Sequence, residues 1–272
     1  MNPIHKIINS SYDSQNVKSK ILSINLRIDG LSFVIMESDI IFKAEYYEWQ
    51  SKGWKYATEQ FHLIFENNTV FQSEFKKSII ILKTKESTLV PSKFFVKDKE
   101  ADLLKTLLGI DNFDTSSHNL KNAEAVLVSA VYPELNSLIK ERFPKSELFN
   151  YSSIFIDKAV KLSIKKEILL LDVGQQSFEI VFAKFGKIIS HNYFDFITVD
   201  EFMFFLLSFV KQNNINLERI QLVISGKISL ESSIGKSLKK YFHSIEQMQS
   251  DSKNDKDGAF AELKNYTLIA NS

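Results

Sequence analysis

The order strand, strand, strand, helix, strand, helix occurs twice along this chain, and that duplication restricts the fold more than any single residue does. In the first copy, Ile21 to Ile28 sets Leu22, Ile24, Leu26 and Ile28 against Ser23, Asn25 and Arg27, the period of a half-buried strand. Asp29-Gly30 follows, a pair that predicts a tight hairpin turn with positive φ at both central residues. Ser32 to Met36 and Ile40 to Trp49 predict the next two strands. Trp54, Ala57, Phe61, Ile64 and Phe65 then fall on one face of a helix over 51–66. Further strands are expected at Ser78 to Leu82 and Ala125 to Ala130. Asp98 as N-cap and Gly109 as C′ residue bracket a helix carrying Leu103, Leu104, Leu107 and Leu108. Pro133 opens a helix that Pro144 stops, and a short helix near Ser153 to Leu162 leads out.

From Glu167 the order restarts. Ile168 to Val173 is an apolar run expected of a strand buried on both faces, followed by Ser177 to Ala183 and Lys187 to Phe196 around a turn at Phe185-Gly186. Thr198 and Glu201 form a capping-box pair before an apolar helix through Val210. A strand at Ile220 to Ile224 and a helical stripe of Leu230, Ile234, Leu238, Tyr241 and Phe242 complete the copy. Even the texture recurs, with Ser32-Phe33 and Ser177-Phe178 each starting a second strand. Two similar α/β domains are expected, residues 1–164 and 165–272.

Composition adds exclusions. Thirty-four basic against 33 acidic residues leave a formal charge of +1, which gives no electrostatic footprint for nucleic acid, an anionic membrane or an acidic polymer. The absence of cysteine removes disulfides, thiolate nucleophiles and Cys-ligated zinc, and fits a reducing compartment, so the cytoplasm is expected. Met1 to Asn16 lacks the apolar run of a secretory signal, and Phe202 to Val210 is too short for the ~20 residues of a membrane span, so it reads as a buried helix. The polar stretch Ser250 to Gly258 is expected to be a solvated loop. The five histidines are scattered without ligand-like spacing, and no G-x-S-x-G, Walker A or G-x-G-x-x-G motif occurs. Asp195 and Asp200 flank a strand-to-helix loop and could do acid–base work, though Asp200 is read first as a favourable charge in a first helical turn.

Only eight of 272 residues are glycine, below the ~7% average, so each is expected where the backbone demands it. Gly174 lies in Leu171-Asp172-Val173-Gly174-Gln175-Gln176-Ser177, a strand, an Asp-x-Gly turn and a second strand beginning with a hydroxyl. Gly226 lies in Leu222-Val223-Ile224-Ser225-Gly226-Lys227, a buried strand ending in Ser-Gly. The first segment resembles the second phosphate-binding hairpin of the actin, Hsp70 and sugar-kinase ATPases, in which the Asp acts through magnesium and its water. The Ser-Gly segment, about 50 residues further on, is similar to that superfamily's adenosine motif. The opening hairpin, Ser23 through Phe33, falls where the first phosphate motif would be, especially as in the pilus-assembly and cell-division actin homologues. A closer likeness is to an uncharacterised Bacteroidetes family, the domain of unknown function 3822, carried by Leu89-Val90-Pro91-Ser92-Lys93-Phe94-Phe95 and Ala130-Val131-Tyr132-Pro133-Glu134-Leu135. The resemblance implies an actin-like ATPase fold of two ribonuclease H-like domains, each a mixed five-stranded sheet flanked by helices, with ATP and magnesium as candidate cofactors.

The phosphate motifs depart from the pattern. A phosphate-binding hairpin works because small residues let backbone N–H groups approach the anion. Here Asn25 stands in the place of the Asp and Arg27 in the place of the Gly; Gln175 and Gln176 follow Gly174, and Lys227 follows Gly226. Two readings stand for Arg27 and Lys227: direct phosphate ligands in an altered pocket, or solvated side chains at strand ends. Asp172 is either a magnesium ligand or a turn residue bonding local N–H groups. Gly174, Ser177, Ser225 and Gly226 are candidate nucleotide contacts whose alternative role is to shape turns. The expected function is a non-catalytic or weakly nucleotide-binding module that contacts an unidentified protein partner. The alternatives are an active magnesium-dependent ATPase or phosphotransferase built on Asp172, and a scaffold similar to the pilus-assembly actin homologues.

Overall fold

A computed structural model describes residues 2–38, 40–120, 122–226 and 228–248. The described residues form two compact units, one of residues 2–120 and 124–154, the other of residues 122–123 and 155–248. Lys227 and the polar stretch Ser250 to Gly258 lie outside the described residues.

The first unit begins with β1 (His5–Ile8), β2 (Ile21–Arg27), β3 (Gly30–Glu37) and β4 (Ile40–Glu48), followed by α1 (Trp54–Asn67), β5 (Lys77–Lys83), β6 (Ser87–Pro91), α2 (Glu100–Leu108), β7 (Asp114–Asn119), β8 (Ala125–Val131), α3 (Pro133–Arg142) and β9 (Glu147–Asn150). Its main sheet has the order β1-β4-β3-β2-β5-β9, antiparallel from β1 to β2 and parallel from β2 to β9. Alternation along β2 sends Leu22, Ile24 and Leu26 into a core with Phe33, Phe61, Phe65 and Leu135, and sends Ser23, Asn25 and Arg27 to the other face. The apolar stripe of α1 joins the same core through Ala57, Phe61, Ile64 and Phe65. A separate three-stranded sheet, β6-β8-β7, packs against α2 around Val90, Leu104, Val126 and Val128.

The second unit follows from α4 (Tyr151–Leu162), within which the unit boundary falls, and contains β10 (Glu167–Val173), β11 (Ser177–Lys184), β12 (Lys187–Asp195), α5 (Val199–Gln212), β13 (Gln221–Gly226), α6 (Ser233–Leu238) and β14 (Ser244–Gln247). Its sheet runs β12-β11-β10-β13-β14, antiparallel across the first three strands and parallel across the last three. Strand for strand this matches β4-β3-β2-β5-β9 in the first unit. The expected five-stranded mixed sheet therefore occurs twice, and in the first unit β1 extends it to six strands.

Four details differ from the sequence reading. The first hairpin turns at Ile28-Asp29, because Arg27 pairs with Gly30, and Gly30 is not a positive-φ residue. The reason for glycine there is space, since a Cβ would stand 2.5 Å from the Tyr47 carbonyl oxygen. Asp98 does not cap α2; it sits in a turn at φ 67° and Lys99 precedes the helix without a side-chain cap. The strand at Ala125 to Ala130 joins the small sheet through β6 and β7, two short strands that periodicity did not reveal. The last helix is only Ser233–Leu238, capped by the Ser232 hydroxyl on Gly235 N and folded so tightly that a Cβ on Gly235 would stand 2.3 Å from Ser229 O. Among the described residues no helix is long and apolar enough to cross a membrane.

Candidate functional site

Each unit ends its first hairpin with polar side chains, and the two hairpins are built differently. In the first unit, Asn25 pairs across the sheet with Ser32 and Ile81, and Arg27 pairs with Gly30 and Lys83. Arg27 Nε donates to Asp29 Oδ1 at 3.2 Å, and its guanidinium carbon stands 4.8 Å from the centre of the Tyr46 ring. Its Nη2 is buried, only 2.4 Å from where a Cβ on Gly30 would stand. The guanidinium thus lies folded under its own hairpin. Trp49 fastens the turn from the other strand, donating from Nε1 to Ile28 O at 3.0 Å and from its backbone N to Asp29 O at 2.9 Å. Ser23 Oγ, Asn25 Oδ1 and Arg27 Nη2, on alternate residues of β2, are buried with no hydrogen-bond partner among the described residues.

In the second unit, β10 and β13 run parallel with Asp172 beside Ser225 and Val173 beside Gly226. Ser225 Oγ donates to Asp172 Oδ1 at 3.1 Å, and both residues are buried, at 2% and 4% exposure. Gly226 has φ 84°, and a Cβ on it would fall 2.3 Å from Val173 O and 2.6 Å from Asp172 Oδ1, so only glycine permits these strand ends to meet. The turn after β10 closes through Gly174 N donating to Ser177 O at 2.7 Å. Ser177 Oγ accepts from the Tyr193 hydroxyl at 2.7 Å. The structure therefore brings Asp172, Gly174, Ser177, Ser225 and Gly226 to one end of the second sheet, and Asn25 and Arg27 to one face of the first.

The family match extends over nearly all of this architecture. A family model described as protein of unknown function (DUF3822) matches residues 9–245. The chain belongs to that family. A protein of Bacteroides thetaiotaomicron with actin-like ATPase fold and unknown function resembles this DUF3822 chain with a TM-score of 0.82 at 19% identity, covering 95% of this chain and 99% of that one. The PilM–PilN type IV pilus biogenesis complex includes a chain similar at a TM-score of 0.57 and 10% identity, with coverage of 92% and 98%. The ethanolamine utilization protein EutJ from Carboxydothermus hydrogenoformans gives 0.55 at 8% identity, with coverage of 97% and 92%. No curated protein sequence matches. The DUF3822 chain has the actin-like ATPase fold, and at these identities the likeness speaks to fold alone.

Reading the sequence missed several neighbours of these residues in the DUF3822 chain. Glu179 lies directly opposite Asp172 on β11, is 1% exposed, and takes His191 Nε2 at 2.8 Å on Oε1. Its signal was available: in Ser177-Phe178-Glu179-Ile180 the apolar residues face the core, so Glu179 must share the opposite face with Asp172. Tyr46, Tyr193 and Lys83 carried no such signal, because each approaches through a strand distant in sequence. The Asp195–Asp200 alternative resolves toward structure for Asp200, which sits in the acidic first turn of α5.

Proposed function

We propose that this protein is a non-hydrolysing member of the actin-like ATPase fold that acts by contacting another protein. The observation that carries the reading is the placement of Arg27. Where the fold's first phosphate hairpin needs open backbone N–H groups, the guanidinium is tied to Asp29, laid against Tyr46 and packed beneath Gly30. In such a hairpin the guanidinium occupies the space beneath Gly30 that a phosphate would need to approach the backbone. The second hairpin supports the reading, because Ser225 already engages Asp172 and Tyr193 already engages Ser177.

On this reading the residues do not fit ATP with magnesium, because Asp172, the carboxylate that would hold the ion, is buried with the Ser225 hydroxyl on Oδ1. Lys227, outside the described residues, keeps its place as a proposed contact beside Gly226. The fold likeness to the PilM chain of a PilM–PilN complex is what suggests a protein as the partner.

Titration with ATP and magnesium, read by thermal denaturation, tests this. A ligand at 100 times its dissociation constant stabilises the native state by about 2.7 kcal/mol, so binding would be plain; we expect no shift at millimolar nucleotide and no phosphate release. Saturable stabilisation that disappears in Asp172→Ala, together with phosphate release, would reject the reading in favour of an ATPase.

A further inference from the structure

One lobe of the second unit is far more basic than the chain's charge of +1 suggests. The connection from α4 to β10 is tied to the β11–β12 turn: Gly186 N donates to Ser163 O and to Ser163 Oγ, both at 3.2 Å, and Phe185 N donates to Lys166 O at 3.3 Å. These contacts merge residues 161–167 and 184–189 into one surface. Four apolar side chains project from it: Leu162, Ile164, Phe185 and Ile189, at 38%, 62%, 59% and 51% exposure. Around them stand Lys161, Lys165, Lys166, Lys184 and Lys187; within these two segments the one carboxylate is Glu167, which pairs with Lys184, and Lys166 meets Gln221, which donates to Glu246. Among the described residues Lys161, Lys165 and Lys187 have no carboxylate partner.

Phe185 adds a second, independent oddity. It occupies φ 46° at the tip of a two-residue hairpin, before Gly186 at φ 76°. Asn or Gly adopts this conformation freely, whereas a bulky side chain is strained there. An aromatic ring is thus held outward at a conformational cost, with the Lys184 ammonium 5.5 Å from its centre.

We propose that this lobe is a peripheral docking surface for an anionic lipid bilayer. Apolar side chains ringed by ammonium groups match the interfacial zone of such a membrane: the rings and branched chains enter the acyl boundary while the lysines meet the phosphate headgroups. A peptide partner would draw its affinity from a groove or from main-chain pairing along a strand edge. Phe185 and Gly186 lie outside the ladder at a hairpin tip and 163–166 are a loop, so most of the lobe offers neither; Lys187 and Ile189 begin the edge strand β12, and the peptide arm of the test below addresses that edge.

The test is co-sedimentation of the full chain with vesicles of phosphatidylethanolamine and phosphatidylglycerol, against vesicles of phosphatidylcholine alone. Binding to the first only, weakened by added salt, is expected. Lys165→Gln and Lys187→Gln should each weaken it about fivefold. Phe185→Asn should weaken it about tenfold while raising the melting temperature, which separates loss of docking from loss of fold. Equal binding to both vesicle types, no binding to either at low salt, or undiminished binding by the three variants would overturn the assignment. So would retention of a Glu- and Leu-rich peptide, sensitive to Lys187→Gln, by a protein that ignores vesicles; that outcome would put an acidic protein on this lobe.

Discussion

Gly30 and Arg27 depend on each other, and the dependence can be measured. A methyl group on Gly30 would collide with Arg27 Nη2 and with the Tyr47 carbonyl oxygen, so Gly30→Ala should cost about 1–3 kcal/mol in urea denaturation. Arg27→Ala in the same chain should recover part of that loss but not all, because the Tyr47 backbone cannot withdraw as a side chain can; full additivity of the two changes would contradict the packing described. Ser23 presents the opposite case. Its hydroxyl is buried at 0% exposure without a partner among the described residues, so Ser23→Ala should leave stability unchanged or raise it by up to about 1 kcal/mol. Glu45 is held below the ordinary carboxylate range although burial alone would raise it, because the Tyr47 hydroxyl and the Lys43 and Lys6 ammonium groups favour the anion. Its stabilising contribution is present above the unfolded value and fades as pH falls through the folded one. None of these couplings was legible in the sequence. Asn25 and Arg27 could be picked out as departures from a motif, but Asp29, Tyr46 and Tyr47 reach them through a turn and two neighbouring strands, and pairing register is not written in local spacing.

At the scale of elements, His118 shows how the small sheet is joined to the main one. Its Nε2 accepts from Asn150 N at 3.2 Å and meets Ser116 Oγ at 3.0 Å, linking β7 to the end of β9, while its ring stacks on Phe149. Burial drives its pKa down from 6.5 to about 4, since the charged ring is disfavoured in this setting. The unfolded chain then binds the proton first, so stability should fall as pH drops from 6.5 towards 4, by about 3 kcal/mol at ~1.4 kcal/mol per pH unit. His118→Gln should flatten that slope in denaturation curves taken across this range; an unchanged slope would remove His118 from the account. At the start of α5, Thr198 Oγ1 accepts from Glu201 N at 3.1 Å and Glu201 Oε2 accepts from Thr198 N. Thr198→Ala should therefore cost about 1 kcal/mol. The Thr198–Glu201 cap, the stripes of α1, α3 and α5 and the Phe185-Gly186 turn lie where the sequence placed them, because each depends on residues within one turn of chain, whereas the same local reading misplaced the Asp98 cap and the first hairpin turn. The short strands β1, β6, β7, β9 and β14 were not readable in advance, because four to six residues carry too little periodicity to be distinguished from loop.

At the scale of the molecule, two sheets share one strand order and one pattern of directions, while their first hairpins carry different side chains, Asn25 and Arg27 in one and Asp172 and Gly174 in the other. A duplicated scaffold tolerates this because its stability resides in the two apolar cores, around Phe33 and Phe61 in one unit and Phe178 and Phe202 in the other, rather than in ligand contacts. The nucleotide titration and the vesicle assay thus test separate surfaces, and either can fail alone. The doubled order of strands and helices follows from the amino-acid sequence by itself, since hydrophobic period and turn chemistry are local properties that summation along the chain preserves, and the actin-like fold was implied by the resemblance of the Asp172-Val173-Gly174 and Ser225-Gly226 segments. Which polar groups meet, which lysines gather beside Phe185, and whether Arg27 lines a pocket or closes a hairpin were decided only by tertiary structure. Those outcomes depend on strand register and on contacts between residues far apart in sequence, and a net charge or a motif averages over the positions that separate them.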